Sequence, residues 1–239
     1  MLLDQLYPPV CLTCDAPTAS ADALCASCFA RLRPITAPLC QRLGIPFEVP
    51  IGPEALSAEA IANPPPFRRS RSAVLYNELA RTLVSRLKYG DRPELARFCA
   101  RLMDGAGAEF WAEGPVLVPV PLHRSRHLLR RYNQSAELAR ALAARTGLGM
   151  DAGLVRRVKP TRPQVGLSAD QRHRNLSGAF KADPEVPARL KGRGVVLVDD
   201  VITTGSTVEA VTRALQRGGV DKIDVISFAR VVMGADATI

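Results

Sequence analysis

Two adjacent carboxylates, Asp199 and Asp200, follow an apolar run and precede a loop of small residues from Thr203 to Thr207. Carboxylate oxygens bind hydroxyl donors or a hydrated Mg²⁺ ion. Small residues let backbone N–H groups approach an anion, and a helix that starts here adds partial positive charge. The segment therefore predicts a site for a sugar diol beside a phosphate. The alternative is an ordinary strand-to-helix turn with Ser206 as its N-cap, which leaves the paired carboxylates unexplained.

Basic side chains are concentrated in three segments that could surround such a ligand. Arginine pairs with phosphate oxygens through two N–H groups, and lysine contacts them as a point charge. The segment 156–180 contains prolines and glycines, as active-site lids often do. A solvated basic loop, an exposed hairpin and a plain helix-end charge remain alternatives for these segments. The candidates for pyrophosphate contacts are Lys88, Arg124, Arg126, Lys159 and Arg172.

Four cysteines form two Cys-x-x-Cys pairs near the start of the chain. Two such pairs at this spacing predict a closed tetrahedral Zn²⁺ site with a structural role. Cys40 is followed three residues later by Leu43, so we expect that Cys40 is not a metal ligand. Cys99 lies in a predicted helix beside Phe98 and Leu102 and is expected to be a core residue. The predicted zinc ligands are Cys11, Cys14, Cys25 and Cys28.

The remaining sequence alternates between strand and helix patterns, with no evident internal repeat. This order predicts an α/β domain, a mostly parallel sheet flanked by helices. We expect a four-cysteine module at residues 1–50, a proline-rich linker at 51–66 and the α/β domain at 67–239. The predicted strands cover 71–76, 116–121, 194–200 and 222–232, and the predicted helices cover 77–90, 92–103, 135–145 and 206–219.

Composition restricts the class of protein. Hydrophobic residues make up 47% of the 239 residues, which is enough for a core and excludes a disordered chain. The net charge of +9 favours phosphorylated partners, although solubility alone could explain it. The sequence has no apolar run long enough for a membrane span and no signal-peptide pattern, so we expect a cytoplasmic protein.

The segment 195–207 resembles the phosphoribosyl pyrophosphate (PRPP) binding motif of type I phosphoribosyltransferases. That resemblance implies that Asp199 and Asp200 contact the ribose 2′- and 3′-hydroxyls, that Thr203, Thr204, Gly205, Ser206 and Thr207 hold the 5′-phosphate, and that Mg²⁺ accompanies PRPP. Four strings behind the cysteine module also resemble the ComF family of competence-associated proteins with a phosphoribosyltransferase-like fold. Arg131-Tyr132 departs from the glycine-phenylalanine usual in that family. The strings are LKYGDRPELA, VPVPLHRSR with YNQ, RPQVGLSADQRHRN with GAF, and VLVDDVITTGST.

Three functional hypotheses remain open from the sequence. The first, implied by the family resemblance, is a PRPP-binding protein that assists the uptake of single-stranded DNA with partners of the competence machinery. The second is an active phosphoribosyltransferase that releases pyrophosphate, although no segment identifies its acceptor. The third is a non-catalytic module that binds nucleic acid or a partner. The intact acidic pair and hydroxyl loop argue against the third hypothesis.

Overall fold

The computed structural model describes residues 8–89, 93–122, 133–159 and 175–232. The strands are β1 (Ser70–Leu75), β2 (Val116–Pro119), β3 (Val155–Arg157), β4 (Phe180–Ala182), β5 (Val195–Ile202) and β6 (Ile223–Arg230). The helices are α1 (Ala26–Phe29), α2 (Ala58–Ala62), α3 (Glu78–Tyr89), α4 (Pro93–Ala106), α5 (Ala108–Trp111), α6 (Gln134–Thr146), α7 (Val186–Leu190) and α8 (Ser206–Arg217).

A four-stranded parallel sheet in the order β1-β6-β5-β2 forms the centre of the fold. Because successive side chains of a strand point to opposite faces, β5 contributes to two cores. Val196 and Val198 pack with α3, α4 and α6, whereas Val195 and Leu197 pack with α8 and the β3–β4 hairpin. Burial on both faces explains the continuous apolar run of β5. The predicted α/β class with a mostly parallel sheet is confirmed.

Several element boundaries differ from the sequence prediction by a few residues. Strand β5 continues to Ile202 instead of ending at Asp200, because its ladder with β6 extends to the pair Ile202 and Arg230. Helix α6 ends at the left-handed Gly147, whose φ is 71°. Cys99 is fully buried in the core, as expected. Propensity alone could not place the strand end, because pairing with a neighbour decides it.

The N-terminal residues form two similar ribbons in succession. In the first ribbon (residues 9–29), the Cys11 N–H donates to Ala16 O at 2.7 Å, and Cys25 precedes the short helix α1. In the second ribbon (residues 38–62), the Cys40 N–H donates to Ile45 O at 2.8 Å. Both residues of this bond lie 29 positions after their counterparts Cys11 and Ala16 in the first ribbon. The Leu12 N–H to Ala23 O bond likewise corresponds to the Gln41 N–H to Ala55 O bond. The expectation from the sequence that the chain contains no internal repeat is therefore wrong.

The second ribbon keeps the turn geometry but only one of the cysteines. Leu43, Ser57 and Ala60 occupy the positions that Cys14, Cys25 and Cys28 hold in the first ribbon. The repeat is hidden in the sequence because these substitutions remove the Cys-x-x-Cys signal. Helix α2 and the preceding turn lie within the segment 51–66 that was expected to be a linker.

A short stretch of the N-terminal region covers the edge of the sheet at β1. Residues 33–35 pair antiparallel with β1: the Ile35 N–H donates to Ala73 O at 3.0 Å. This pairing joins the ribbons to the sheet and leaves β1 without a free edge.

The ends of the segment 156–180 belong to the antiparallel pair β3 and β4, and residues 160–174 lie outside the described part. None of the helices within the described ranges has the length and apolar character to cross a membrane.

Candidate functional site

Asp199 lies in the carboxyl half of β5, and its carboxylate is held by two donors. It is 9% exposed. Its Oδ1 atom accepts a hydrogen bond from Ser135 Oγ at 3.0 Å and one from the Asp200 N–H at 2.9 Å. Ser135 lies in the first turn of α6, so the helix that packs on β5 fixes the orientation of this carboxylate. Ligands of open α/β sheets bind at this edge of the sheet.

The neighbouring carboxylate of Asp200 is held differently. Its Oδ1 atom accepts from the Val201 N–H at 2.8 Å, and its Oδ2 atom lies 3.2 Å from Lys88 Nζ. Lys88 comes from the last turn of α3. The structure thus brings Lys88, one of the five pyrophosphate candidates, to the acidic pair.

The pKa of Asp199 is raised to about 7, chiefly because the carboxyl group is buried and also because Asp200 lies beside it. The hydrogen bonds from Ser135 and the Asp200 N–H, and the charge of Lys88, act in the opposite direction but do not cancel this effect. Asp199 therefore changes its charge near neutral pH.

The loop after β5 leads directly into the N-terminus of α8. Gly205 is the N-cap residue and has φ +78°, a left-handed conformation that glycine adopts without steric cost. Gly205 has no side chain with which to cap the first N–H groups of α8. Ser206 is the first helical residue, so the expectation of Ser206 as N-cap in an ordinary turn is not met. Its hydroxyl instead lies 2.9 Å from Thr204 Oγ1.

These elements enclose a shallow pocket with about 190 Å³ of empty space open to solvent. The exposed helix N-terminus and the hydroxyl groups suit a phosphate, and the carboxylate of Asp199 lies on the same wall. The pocket brings one acidic residue together with four of the five predicted loop residues. Its lining consists of Asp199, Val201, Ile202, Thr203, Gly205, Ser206, Thr207 and Val208.

Of the other pyrophosphate candidates, only Lys159 is among the described residues, and it does not line this pocket. Lys159 is exposed beyond β3, where its ammonium lies close to Gly178. No hydrogen bond or ion pair joins Lys159 to the 203–207 loop within the described residues. Arg124, Arg126 and Arg172 lie outside the described part of the chain.

Two residues that the sequence reasoning missed support the acidic pair. The Asn133 side chain donates to Val120 O at 3.0 Å and accepts from the Ser135 N–H at 3.1 Å. It thereby ties the end of β2 to the start of α6 and positions the Ser135 hydroxyl. The consecutive polar residues Asn133, Gln134 and Ser135 at a helix start were the available signal.

The first ribbon brings its four cysteine sulfurs together. The Sγ atoms of Cys11, Cys14, Cys25 and Cys28 all lie within 4.8 Å of one another, and those of Cys14 and Cys25 are 3.6 Å apart. Zn–S bonds of about 2.3 Å in a tetrahedron place sulfurs roughly 3.8 Å apart, so this set fits the ion. These residues form a zinc-binding site. Four protein ligands leave no open position, which is typical of a structural site.

Hydrogen bonds already favour the thiolate at Cys11. Burial acts to raise the pKa of this thiol, but bonds from the Thr13 side chain and from backbone N–H groups outweigh it and lower the pKa to about 5. One of these donors is the Cys25 N–H, 3.3 Å from Cys11 Sγ. Such N–H···S bonds hold the sulfur in the ionised form that Zn²⁺ binds.

Comparison with known proteins agrees with both parts of the fold. Residues 2–61 match a family described as double zinc ribbon domain, and residues 125–235 match one described as phosphoribosyl transferase domain. The DNA utilization protein YhgH of Salmonella typhi is 34% identical over 229 residues, which cover 93% of this chain and 97% of that protein. Competence protein F of Haemophilus influenzae is 36% identical over 163 residues, covering 65% and 69%. The chain belongs to the competence protein F family.

A more distant member of the family covers almost the same length. The competence protein ComFC of Bacillus subtilis is 25% identical over 240 residues, covering 90% of this chain and 91% of that protein. The predicted resemblance to the ComF family is thus confirmed. The phosphoribosyl transferase match includes β5, the loop from Thr203 to Thr207, α8 and β6. The double zinc ribbon match includes both ribbons, although in this chain only the first has four cysteines.

Proposed function

We propose that this chain binds PRPP together with Mg²⁺ at the carboxyl end of β5. One observation carries the proposal: a fixed carboxylate and the N-terminus of helix α8 line the same small pocket. The diol and the 5′-phosphate of PRPP require these two kinds of group side by side. The match to the phosphoribosyl transferase domain gives independent support.

In this proposal each part of PRPP has its own partners. Asp199 and Asp200 contact the ribose hydroxyls or water molecules of the Mg²⁺ ion, and the residues Thr203–Thr207 hold the 5′-phosphate through N–H and hydroxyl groups. Lys88 is close enough to Asp200 to reach the pyrophosphate side. Arg124, Arg126, Lys159 and Arg172 remain candidates for further pyrophosphate contacts.

Calorimetric titration of the zinc-loaded protein with Mg²⁺ and PRPP tests the site. We expect saturable binding by the wild type and at least a tenfold loss of affinity in Asp199→Asn/Asp200→Asn, because hydrogen bonds to charged groups contribute about 1.5–3 kcal/mol. Asp221→Asn, an exposed carboxylate at the opposite end of the sheet, is the matched control. A folded wild type that does not bind PRPP contradicts the proposal.

The affinity for PRPP is also expected to depend on pH. The ionised form of Asp199 accepts hydrogen bonds from the diol, and this form predominates only above its pKa of about 7. We expect affinity to rise up to about tenfold per pH unit below that value and to level off above it. Asp200 and Lys88 also face this carboxylate, so Asp199→Asn, which removes only one titration, is the control. A wild-type profile as flat as that of the variant contradicts this role.

The same pKa makes a separate contribution to stability. The folded value lies above the ordinary value, so the folded chain favours the protonated carboxyl. This contribution is fully present below the unfolded pKa of about 3.9 and is lost as the pH rises through about 7. Ligand-free protein should therefore be stabilised by Asp199→Asn at pH 8, measured by thermal unfolding.

For the cellular role, we infer that PRPP binding serves the handling of single-stranded DNA in competence, in the cytoplasm and with protein partners. The names of the relatives and the net charge of +9 support this role. Binding of a labelled single strand should weaken steeply with salt if phosphates supply the contacts. Affinity that is weak and independent of salt contradicts the DNA role and leaves the PRPP site unaffected.

The second candidate is an active phosphoribosyltransferase. The ordered Asp199, with its Ser135 hydrogen bond, and the Lys88–Asp200 pair fit it, because positioned charged groups can also stabilise the charge that develops in a transition state. Pyrophosphate release from Mg²⁺ and PRPP that depends on an added acceptor supports the enzyme. PRPP binding with no release for any acceptor in a broad screen favours a binding protein.

A further inference from the structure

Arg230 ends strand β6 next to the proposed PRPP pocket. In the sheet register it lies between Ile202 of β5 and Leu75 of β1. Its carbonyl oxygen accepts from the Tyr76 N–H at 2.8 Å, and the Val231 N–H donates to Ile202 O at 2.9 Å. Since the pocket loop begins directly after Ile202, the backbone of Arg230 lies beside that loop at the same edge of the sheet.

Two nitrogens of the Arg230 guanidinium, Nε and Nη1, are buried without hydrogen-bond partners. The residue is 4% exposed, yet nothing in the described part of the chain accepts from its Nε or Nη1 atoms. Arg71 on β1 provides a direct comparison, because it is also 4% exposed. Its Nε donates to Glu109 Oε1 at 2.6 Å, and its other nitrogens donate to Gln41 and the Ser70 carbonyl. The fold can therefore satisfy a buried arginine and does not do so at Arg230.

The surroundings of Arg230 only partly compensate its charge. Burial lowers the pKa of this guanidinium, and Glu59 and Cys40 act against that effect. Both compensating groups belong to the second ribbon. They act through charge alone, without a hydrogen bond to Nε or Nη1. A buried cation with free donors is costly unless an anion supplies the missing acceptors.

We propose that Arg230 binds an oxyanion, a carboxylate or phosphate, on the acceptor molecule that meets PRPP at this edge of the sheet. The side of the pocket toward β6 is then the acceptor side. The proposal rests on the proposed PRPP site and names the substrate class that this site takes. Planar Nε and Nη donors match an oxyanion with two parallel hydrogen bonds.

Arginine side-chain NMR tests the assignment on the full-length, zinc-loaded protein. The Nε–H signal of Arg230, identified by its loss in Arg230→Lys, is followed while benzoate or inorganic phosphate is added, with and without Mg²⁺ and PRPP. We expect a saturable shift with at least one probe. Arg230→Met should weaken that probe at least tenfold, the loss expected for a hydrogen bond to a charged group, while PRPP affinity changes less than about threefold.

Two further comparisons complete the test. The first distinguishes a carboxylate from a phosphate as the oxyanion, and the second distinguishes ligand binding by Arg230 from a purely structural role. A shift from benzoate indicates a carboxylate acceptor, and one from phosphate alone indicates a phosphorylated acceptor. In thermal unfolding, Arg71→Met should be strongly destabilised, whereas Arg230→Met should be as stable as the wild type or more stable. No shift with either probe, or unchanged probe binding in Arg230→Met, overturns the assignment.

Failure of the PRPP proposal remains distinguishable from failure at Arg230. If the wild type does not bind Mg²⁺ and PRPP, the proposed function is wrong, and the titration without PRPP still decides whether Arg230 takes an oxyanion. If PRPP binds and neither probe shifts Arg230, the proposed function stands and the acceptor assignment is wrong.

Discussion

The two N-terminal ribbons have the same turns and differ in what stabilises them. The first ribbon holds four sulfurs at zinc-binding distances, and its Leu12 and Leu24 pack on the face of the sheet that carries α3, α4 and α6. The second ribbon keeps only Cys40 and packs Leu43 and Ala60 on the opposite face, beside α8. The same backbone can therefore be held by a metal ion or by burial against a larger domain.

The remaining cysteine of the second ribbon retains part of a metal knuckle. Cys40 Sγ accepts the Leu43 N–H at 3.4 Å and the Ser57 N–H at 3.2 Å. Burial acts to raise the pKa of this thiol, but these bonds and those from the Ser57 hydroxyl and the Arg42 N–H lower it overall. The hydrogen bonds that orient the sulfur are thus kept in the second ribbon, although apolar or small residues replace the other three cysteines.

Removal of the metal from the first ribbon should have the largest effect. Cys11→Ser/Cys14→Ser is expected to lose one zinc ion per chain and to unfold residues 9–29, since zinc binding supplies about 10–16 kcal/mol in isolated zinc-finger peptides. Elemental analysis and hydrogen exchange measure both results. Cys40→Ser is the control and should keep its zinc. Zinc retained in the double variant contradicts this difference between the ribbons.

Restoring the missing ligands should convert the second ribbon into a second metal site. Leu43→Cys/Ser57→Cys/Ala60→Cys is expected to raise the zinc content from one ion per chain to two, because the backbone positions match those of the first ribbon. Leu43→Cys alone should stay at one. A folded triple variant that still binds one ion shows that the backbone correspondence is not close enough for a site.

Each ribbon has one residue with positive φ in its turn, and we expect substitutions at these two positions to differ in their effect on stability. A side chain at Gly44 (φ +63°) meets the Ser70 carbonyl oxygen, whereas Asp15 (φ 60°) of the first ribbon has room and pairs with Arg86. We expect Gly44→Asp to destabilise the protein by about 2 kcal/mol through steric overlap. The reverse change, Asp15→Gly, should cost less than about 1 kcal/mol. Urea unfolding compares the two, and equal effects contradict the packing difference.

Loss of the helix cap in the second ribbon should have the smallest effect. Ser57 Oγ accepts from the Ala60 N–H at 3.3 Å at the start of α2, whereas Cys25 makes no such side-chain cap in α1. Ser57→Ala is expected to cost about 1 kcal/mol in urea unfolding. Ser20→Ala, an exposed serine of the first ribbon, serves as the control. A cost for Ser57→Ala no larger than that of the control contradicts the capping role.

The sequence was sufficient where chemistry lies within a short segment. The zinc ligands sit in two Cys-x-x-Cys pairs, and Asp199 to Thr207 carry the strand end, the loop and the helix start in order. It was insufficient where contacts join distant segments. The hydrogen bond from Ser135 to Asp199 joins residues 64 positions apart, and the pair of Lys88 with Asp200 depends on how α3 packs.

The sequence by itself determined the α/β class, the zinc ligands of the first ribbon and the strand that delivers the acidic pair, because apolar runs and ligand spacing are local properties. Only the tertiary structure decided that the second ribbon keeps its turns without the other three cysteines, that Gly205 and not Ser206 caps α8, and that Nε and Nη1 of Arg230 are buried without a partner. These features depend on which distant groups meet across the sheet, and burial and hydrogen bonding between such groups leave no local pattern.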